Sequence, residues 1–256
     1  MVLVHYWGGF SLGGKGVTLS SHANLLLNGA VGLADDDFTP PIELLRQGFL
    51  LGEMRESPVL IAPRDKSIQA GGISRHSVHT LRAGWPTDPI ESETLPLIQI
   101  LELHKQYPEI AMRLMNISTS EGVSMLKNSY LKPMATVLWW HLINDNSNLS
   151  PFDIGWSVTP SLGSPEDRAS LIKCLEDNVL TAISVHSTPI DDSETKRPTS
   201  KRERGISGYN IVLPLLWDKL VKKSGWKIEK LWEKISFGPS LVLNQAEEKL
   251  SLNSNR

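Results

Sequence analysis

The sequence predicts an α/β fold built on parallel strands, and three observations lead there. Short runs rich in β-branched and apolar residues alternate with longer stretches of helical periodicity, the pattern of strands joined by crossover helices. The alternation recurs about six times along the 256 residues. Hydrophobic residues make up 40% of the chain against 21% charged, enough apolar material for a sizeable core.

Taken in order, the first expected strand covers residues 2–6 and the second 30–34, followed by a helix over 41–54. A strand at 58–62 precedes a helix at 92–106, and a strand at 111–117 precedes a helix at 120–129. The fifth strand spans 135–140. Before the sixth, at 181–186, lies a helix over 165–177 whose start is marked chemically: Ser164 caps free amides, Pro165 suits the first helical position, and Glu166 and Asp167 favour the positive end of the dipole. Leu171, Ile172 and Leu175 then share an apolar face. Two last helices are expected at 211–222 and 227–235. The latter carries Ile228, Leu231, Trp232 and Ile235 at i, i+3, i+4, i+7, read as a core-packing stripe. Residues 187–204 are polar, with mixed charge and proline, and predict a long exposed loop; residues 244–256 form a polar tail.

Composition narrows function. With 26 basic and 28 acidic residues, net charge −2, the chain has no global attraction for nucleic acid or an anionic membrane. The basic cluster at 196–204 lacks interleaved aromatics and reads as a solvated loop. No apolar run approaches the roughly 20 residues that span a bilayer, and residues 1–10 lack the basic start of a signal peptide. The lone Cys174, read as a small apolar residue on a helix face, excludes an internal disulfide and any cysteine-cluster metal site. A cytoplasmic location is the expectation. The eight tryptophans read as core and helix-face residues, and the early glycines lack a dinucleotide fingerprint.

The most informative segment is Asn116-Ile117-Ser118-Thr119-Ser120-Glu121-Gly122, which resembles the His-x-Ser-Thr-x-x-Gly segment of dihydroorotases, amidohydrolases that interconvert carbamoyl aspartate and dihydroorotate. Other phrases follow in the family's order. Residues 8–16 are similar to its Gly-Ala-Leu-Thr-x-Gly-x-x-Gly loop, 29–37 to its Gly-Ala-Val-Gly-Phe-x-Asp-Asp-Gly strand end, and 75–86 to its Arg-Glu-Gly-x-x-Ser-x-x-Leu-Gly-Leu-Pro segment. Residues 160–168 and 205–216 resemble its Pro-Pro-Leu-Arg-x-x-x-Asp-Arg and Gly-x-x-Gly-x-Glu-x-x-Leu-Pro-Leu-Leu runs. The likeness is strongest to the divergent dihydroorotase-like proteins of cyanobacteria. It implies an incomplete TIM-type (β/α) barrel over residues 1–243, with about six βα units.

That family uses two bridged metal ions to polarise a ring carbonyl and supply hydroxide, and here the matching positions have changed. The first strand matches the family's third, so its His-x-His and adjoining Arg have no counterpart. Ala62 and Asn116 stand where ligand histidines are expected, His186 where the proton-shuttling Asp is expected, and Thr159 and Gly163 where substrate contacts are expected. Among Asp35, Asp36 and Asp37 one carboxylate ligand could survive. If a site has been rebuilt, Asp36, His141 and His186 are its candidate zinc ligands, with His186 and Asp36 the catalytic groups. Read singly, the histidines are hydrogen-bonded rim residues; His5, His22, His76, His79 and His104 have structural or solvent roles. No serine sits in a nucleophile elbow. The expectation is a catalytically inactive binding or scaffold homologue, a pseudoenzyme of pyrimidine biosynthesis without cofactor. An active cyclic amidase and a truncated remnant are the alternatives. The resemblance points to aspartate transcarbamoylase, or self-association, as the partner to test.

Overall fold

The computed structural model describes residues 4–35, 37–148, 150, 153, 155–198 and 201–246. Among them, six strands form one parallel sheet: β1 (Gly8–Gly9), β2 (Leu33–Ala34), β3 (Val59–Ile61), β6 (Met112–Leu114), β7 (Met134–Leu138) and β8 (Ala182–Ser184), in the spatial order β1-β2-β3-β6-β7-β8. Each neighbour is next in sequence except across β3 and β6, where β4 (Ser74–Arg75) and β5 (Thr87–Asp88) leave to form a small parallel pair of their own.

Four of the six expected strands contain their observed counterparts, and the fifth, expected at 135–140, overlaps β7, which starts one residue earlier. The first is displaced. Val31 donates to the Tyr6 carbonyl, Gly8 to Gly32 and Phe10 to Ala34, so the described pairing runs along residues 6–10, while residues 2 and 3 of the expected strand lie outside the described residues. Glycine is a poor strand former, and the register with β2 overrides local preference. The space is also tight: a Cβ on Gly32 would meet the Pro58 carbonyl oxygen at 2.4 Å.

Between β1 and β2 lies α1 (His22–Leu27), between β2 and β3 α2 (Ile42–Leu51), and after β3 the short α3 (Lys66–Gln69). The β4–β5 excursion holds α4 (Val78–Arg82) and leads into α5 (Glu91–Gln106); α6 (Ser120–Asn128) joins β6 to β7. After β7 come α7 (Trp140–Ile143) and α8 (Pro165–Glu176). The start of α8 is a capping box: the Asp167 amide donates to Ser164 Oγ, and the Asp167 carboxylate accepts from the Ser164 amide. Strand residues Val59, Ile61, Leu114 and Val137 pack with Leu45, Leu97, Ile100, Val123, Leu171 and Leu175 of the helices in one buried cluster.

The loop expected at 187–204 contains α9 (Asp192–Thr195), and parts of it are anchored. Glu194 is buried, and Arg204 donates to the Gly72 carbonyl at 2.7 Å. α10 (Tyr209–Leu216) continues into a π-helical turn over Trp217–Lys223; α11 (Ile228–Trp232) continues through a second, Glu233–Phe237, into α12 (Gly238–Val242). The expected apolar stripe is only partly used. Leu231 is buried and Ile235 packs on the core, whereas Ile228 and Trp232 remain about half exposed, at 49% and 47%. No described helix is long and apolar enough to cross a membrane.

The sheet curls as a barrel wall does. Asp37, just past β2, and His186, just past β8, line one cavity of about 50 Å³ although three strands separate their parents. The result is a partial, unclosed barrel of six parallel strands with helices packed around it.

Candidate functional site

Because all six strands run the same way, their C-terminal ends share one rim, where chemistry on this architecture is placed. At the end of β2, Asp35 is fully engaged: its carboxylate accepts from the Ser11 amide at 2.9 Å and from the Ser11 hydroxyl at 2.5 Å. It braces the loop after β1 and offers no free oxygen pair. Asp36 lies outside the described residues. Asp37 has a left-handed backbone and meets Arg64 Nη2 at 3.4 Å.

Past β3, Ala62 is buried and supplies only its carbonyl, which accepts from Thr39 Oγ1 and the Arg64 amide. Arg64 is 5% exposed; Nε and Nη1 have no hydrogen-bond partner, and burial pulls its pKa down. Past β6, Asn116 takes φ = 55°, a left-handed conformation that asparagine tolerates better than most residues. Its side-chain oxygen accepts from Thr136 Oγ1 of β7 and Ser184 Oγ of β8, stitching three strand ends together.

His141, in α7 past β7, is buried, with Nε2 3.3 Å from the Ser161 carbonyl and Nδ1 unpartnered. Burial, with smaller contributions from Arg75 and Arg64, holds its pKa down at about 4, so the ring is neutral at neutral pH. His186, half-buried past β8, shares its small cavity with Asp37, Thr159 and Arg204. His141 does not line that cavity.

Behind the rim lies a buried network that motif reading missed. Glu93, in the first turn of α5, is fully buried and accepts from the amides of Ser118 and Thr119 at 2.9 and 3.2 Å and from both their hydroxyls at 2.5 Å. Arg75 pairs with Glu93 at 3.5 Å and Asp88 at 3.2 Å, and also donates to Ser92 Oγ, Ser118 Oγ and the Pro89 carbonyl. Gly122 completes the arrangement, since a Cβ there would lie 2.3 Å from Glu93 Oε1. The Ser-Thr-x-x-Gly framework therefore holds a loop on a carboxylate. A readable signal existed: Glu93 shares a helix face with Leu97 and Ile100, and a charge on an apolar face needs buried partners.

A cavity of about 580 Å³ lies beside the starts of α5, α6 and α8 and is lined by Arg75, His76, Glu91, Glu121, Glu166 and Asp167, among others. Neither His141 nor His186 reaches it. The dispersal of candidate ligands bears directly on metal binding. Zinc needs three or four donors at about 2.0–2.3 Å. Among the described residues no three His, Cys, Asp or Glu side chains are grouped to hold a metal ion. Arg64 and Arg75 are close enough to His141 to disfavour positive charge there. The described residues do not fit a zinc ion. Cys174 is half-buried and packs on the core, and burial raises its thiol pKa, as suits a residue without redox chemistry.

No family model matches the chain. Sequence relatives are found: a probable dihydroorotase-like protein of Synechocystis is 29% identical over 257 residues, covering 96% of this chain and 58% of that protein. The dihydroorotase of Thermus aquaticus is 27% identical over 238 residues, 90% of this chain and 56% of the enzyme. The chain thus spans less than two thirds of the length of these relatives. In fold it is similar to the L-hydantoinase of Arthrobacter aurescens, with a TM-score of 0.70 at 16% identity over 87% of this chain and 53% of that one. Dihydroorotase of Saccharomyces cerevisiae, solved with 5-fluoroorotic acid, gives 0.61 at 13% identity over 88% of this chain and 63% of that one.

Proposed function

We propose that this chain, a dihydroorotase-like protein of the amidohydrolase superfamily, serves pyrimidine metabolism as a binding homologue that does not turn over a cyclic amide. One observation carries the proposal: the side chain at position 116, where the family resemblance calls for a metal-binding His, is an Asn committed to Thr136 and Ser184. Ala62 supplies no side-chain donor, and the buried Arg64 adds a cation at the rim where the family's chemistry needs metal. Opening a cyclic amide requires an activated water and a polarised carbonyl. With neutral His141 held at Ser161 and Asp35 held at Ser11, the described residues supply neither. A binding role leaves the strand-end rim as the contact surface, with aspartate transcarbamoylase or a second copy of the chain as partner.

The test is dihydroorotate hydrolysis and carbamoyl aspartate cyclisation by the purified, metal-stripped chain, before and after zinc is added, with bound zinc counted in parallel. No turnover above a heat-inactivated control, and less than stoichiometric zinc, is expected. A second reading has one observation in its favour: His186 and Asp37 face the same cavity. In that reading Asp36, His141 and His186 form a rebuilt zinc site. Zinc-dependent turnover abolished by His186→Ala would establish it and overturn the first.

A further inference from the structure

We propose that residues 201–205 form a lid over the strand-end rim, latched shut by Arg202 and Arg204, and that its opening sets access to His186 and Asp37. The lid governs the rim on which the binding role rests. Its test needs no ligand, so turnover by the chain would refute that role and leave the lid standing, while a failed lid would leave the role untouched.

Thr188, Arg204, Gly205 and Ile206, from the two ends of the loop after β8, wall the rim cavity together with Asp37 and His186. The two ends are joined, since the Thr188 amide donates to the Ile206 carbonyl at 3.0 Å. From there Arg204 crosses to the β4–β5 excursion and donates to the Gly72 carbonyl at 2.7 Å. That acceptor is fixed in place, because a Cβ on Gly72 would lie 2.3 Å from the Thr87 carbonyl oxygen of β5. Arg202 sets its guanidinium 5.9 Å from the centre of the Trp156 ring, which itself packs edge-on against Trp85. With the loop so placed the cavity measures about 50 Å³, whereas small-molecule sites run to roughly 300–1,000 Å³.

The latches are polar, which makes this the part of the rim that yields first. Residues 191–204 contain no Val, Ile, Leu, Met or aromatic residue, so no such side chain pins them to the core. Segments with few buried apolar contacts open at a small part of the free energy of global unfolding. Apolar anchoring resumes at Ile206, which is buried in the core cluster. Beside it Gly205 has φ = 152°, and a Cβ there would meet Thr188 Cβ at 2.4 Å, so the chain turns at a point that favours glycine and can hinge there. On the other side of the loop, buried Glu194 accepts from the Arg197 side chain at 2.9 Å and the Glu203 amide at 3.3 Å. That brace lets the segment move as a unit.

Site-resolved hydrogen exchange of the full chain, with carbethoxylation of its histidines read by peptide mass spectrometry, tests the lid. The Thr188 and Gly205 amides, bonded to the Ile206 and Ser157 carbonyls, should exchange at least about 100-fold faster than the Val59 and Met115 amides of the sheet. Arg204→Gln removes the Gly72 latch and should raise both the exchange of those two amides and the modification rate of His186 by at least about fivefold. His76, exposed at a separate cavity, should be unchanged. Arg202→Gln, whose side chain does not line the rim cavity, should raise both by at least about twofold. It separates opening of the lid from mere enlargement of the cavity and decides the matter if Arg204→Gln does not fold. Exchange of Thr188 and Gly205 only at the rate of the sheet amides, or modification of His186 at the wild-type rate in Arg202→Gln, would overturn the proposal.

Discussion

Replacing Glu93 by Gln is the sharpest probe of the buried network, because it keeps size and shape while removing charge and one acceptor. Each Glu93 oxygen accepts an amide and a hydroxyl from Ser118 or Thr119, and Arg75 Nη2 lies 3.5 Å away. In the variant one oxygen becomes an NH₂ group facing a backbone N–H, so one amide loses its acceptor and its hydroxyl must turn round. A hydrogen bond to a charged group is worth roughly 1.5–3 kcal/mol, and removing one partner of a buried ion pair costs roughly 3–5 kcal/mol. Arg75 retains Asp88 at 3.2 Å, which limits the second contribution. The expected loss is therefore about 3–5 kcal/mol in total. For a chain of this size it should lower Tm by about 6–20 °C. Urea unfolding followed by tryptophan fluorescence and far-UV circular dichroism measures it. Ser118→Ala, which deletes one hydroxyl, should cost only about 1–2 kcal/mol. A loss below about 1 kcal/mol for Glu93→Gln would mean that the carboxylate is not what holds the loop.

Two further outcomes follow from the rim. Asn116→Ala removes the acceptor for Thr136 and Ser184 and places alanine at φ = 55°, so a loss of about 2–4 kcal/mol is expected. Asn116→Gly should recover about 1 kcal/mol of it, and equal stabilities of the two variants in denaturant would refute the backbone contribution. His141 gives a pH signature. Its pKa falls from 6.5 to about 4 on folding, so the unfolded chain binds more protons between those values. Stability should fall as pH drops through that window, by about 3 kcal/mol in all. His141→Gln should flatten this part of a pH series of urea midpoints, and a superimposable wild-type profile would contradict the buried neutral imidazole.

How much of this was legible follows from the distance over which each feature is encoded. The strand at β3 and the helix at α8 were legible because their signals are local: an apolar run in one case, and Ser164-Pro165-Glu166-Asp167 with its reciprocal hydrogen bonds in the other. β1 was misplaced by a few residues because Gly8 and Gly9 have no strand preference of their own and are recruited by the β2 backbone. The Arg75–Glu93–Ser118 network joins residues 18 and 43 positions apart, and no local periodicity encodes such a pairing. At the rim, the residue types at 62, 116 and 186 were legible from the resemblance, but what Asn116 does was not. Its hydroxyl partners sit on two other strands and meet it only when the sheet forms.

The loop after β6 explains how a family framework and a changed rim coexist in one chain. Its residues divide into two sets with separate partners: Ser118, Thr119 and Gly122 address Glu93, while Asn116 addresses Thr136 and Ser184. A change at 116 therefore leaves the Glu93 attachment untouched, provided the new residue accepts a left-handed backbone and satisfies two hydroxyls. Asparagine meets both conditions without a metal ion, whereas a ligand histidine depends on the ion to engage its ring nitrogen. Arg64 acts in the same direction, because a fixed guanidinium beside Asp37 supplies positive charge at the rim without an exchangeable ion. Charge of that kind holds a carboxylate in place but lacks the open coordination position that activates water. Ala62, Arg64 and Asn116 are thus consistent with one another and with the binding role proposed above, in which the rim stays positive and the loop stays attached to Glu93.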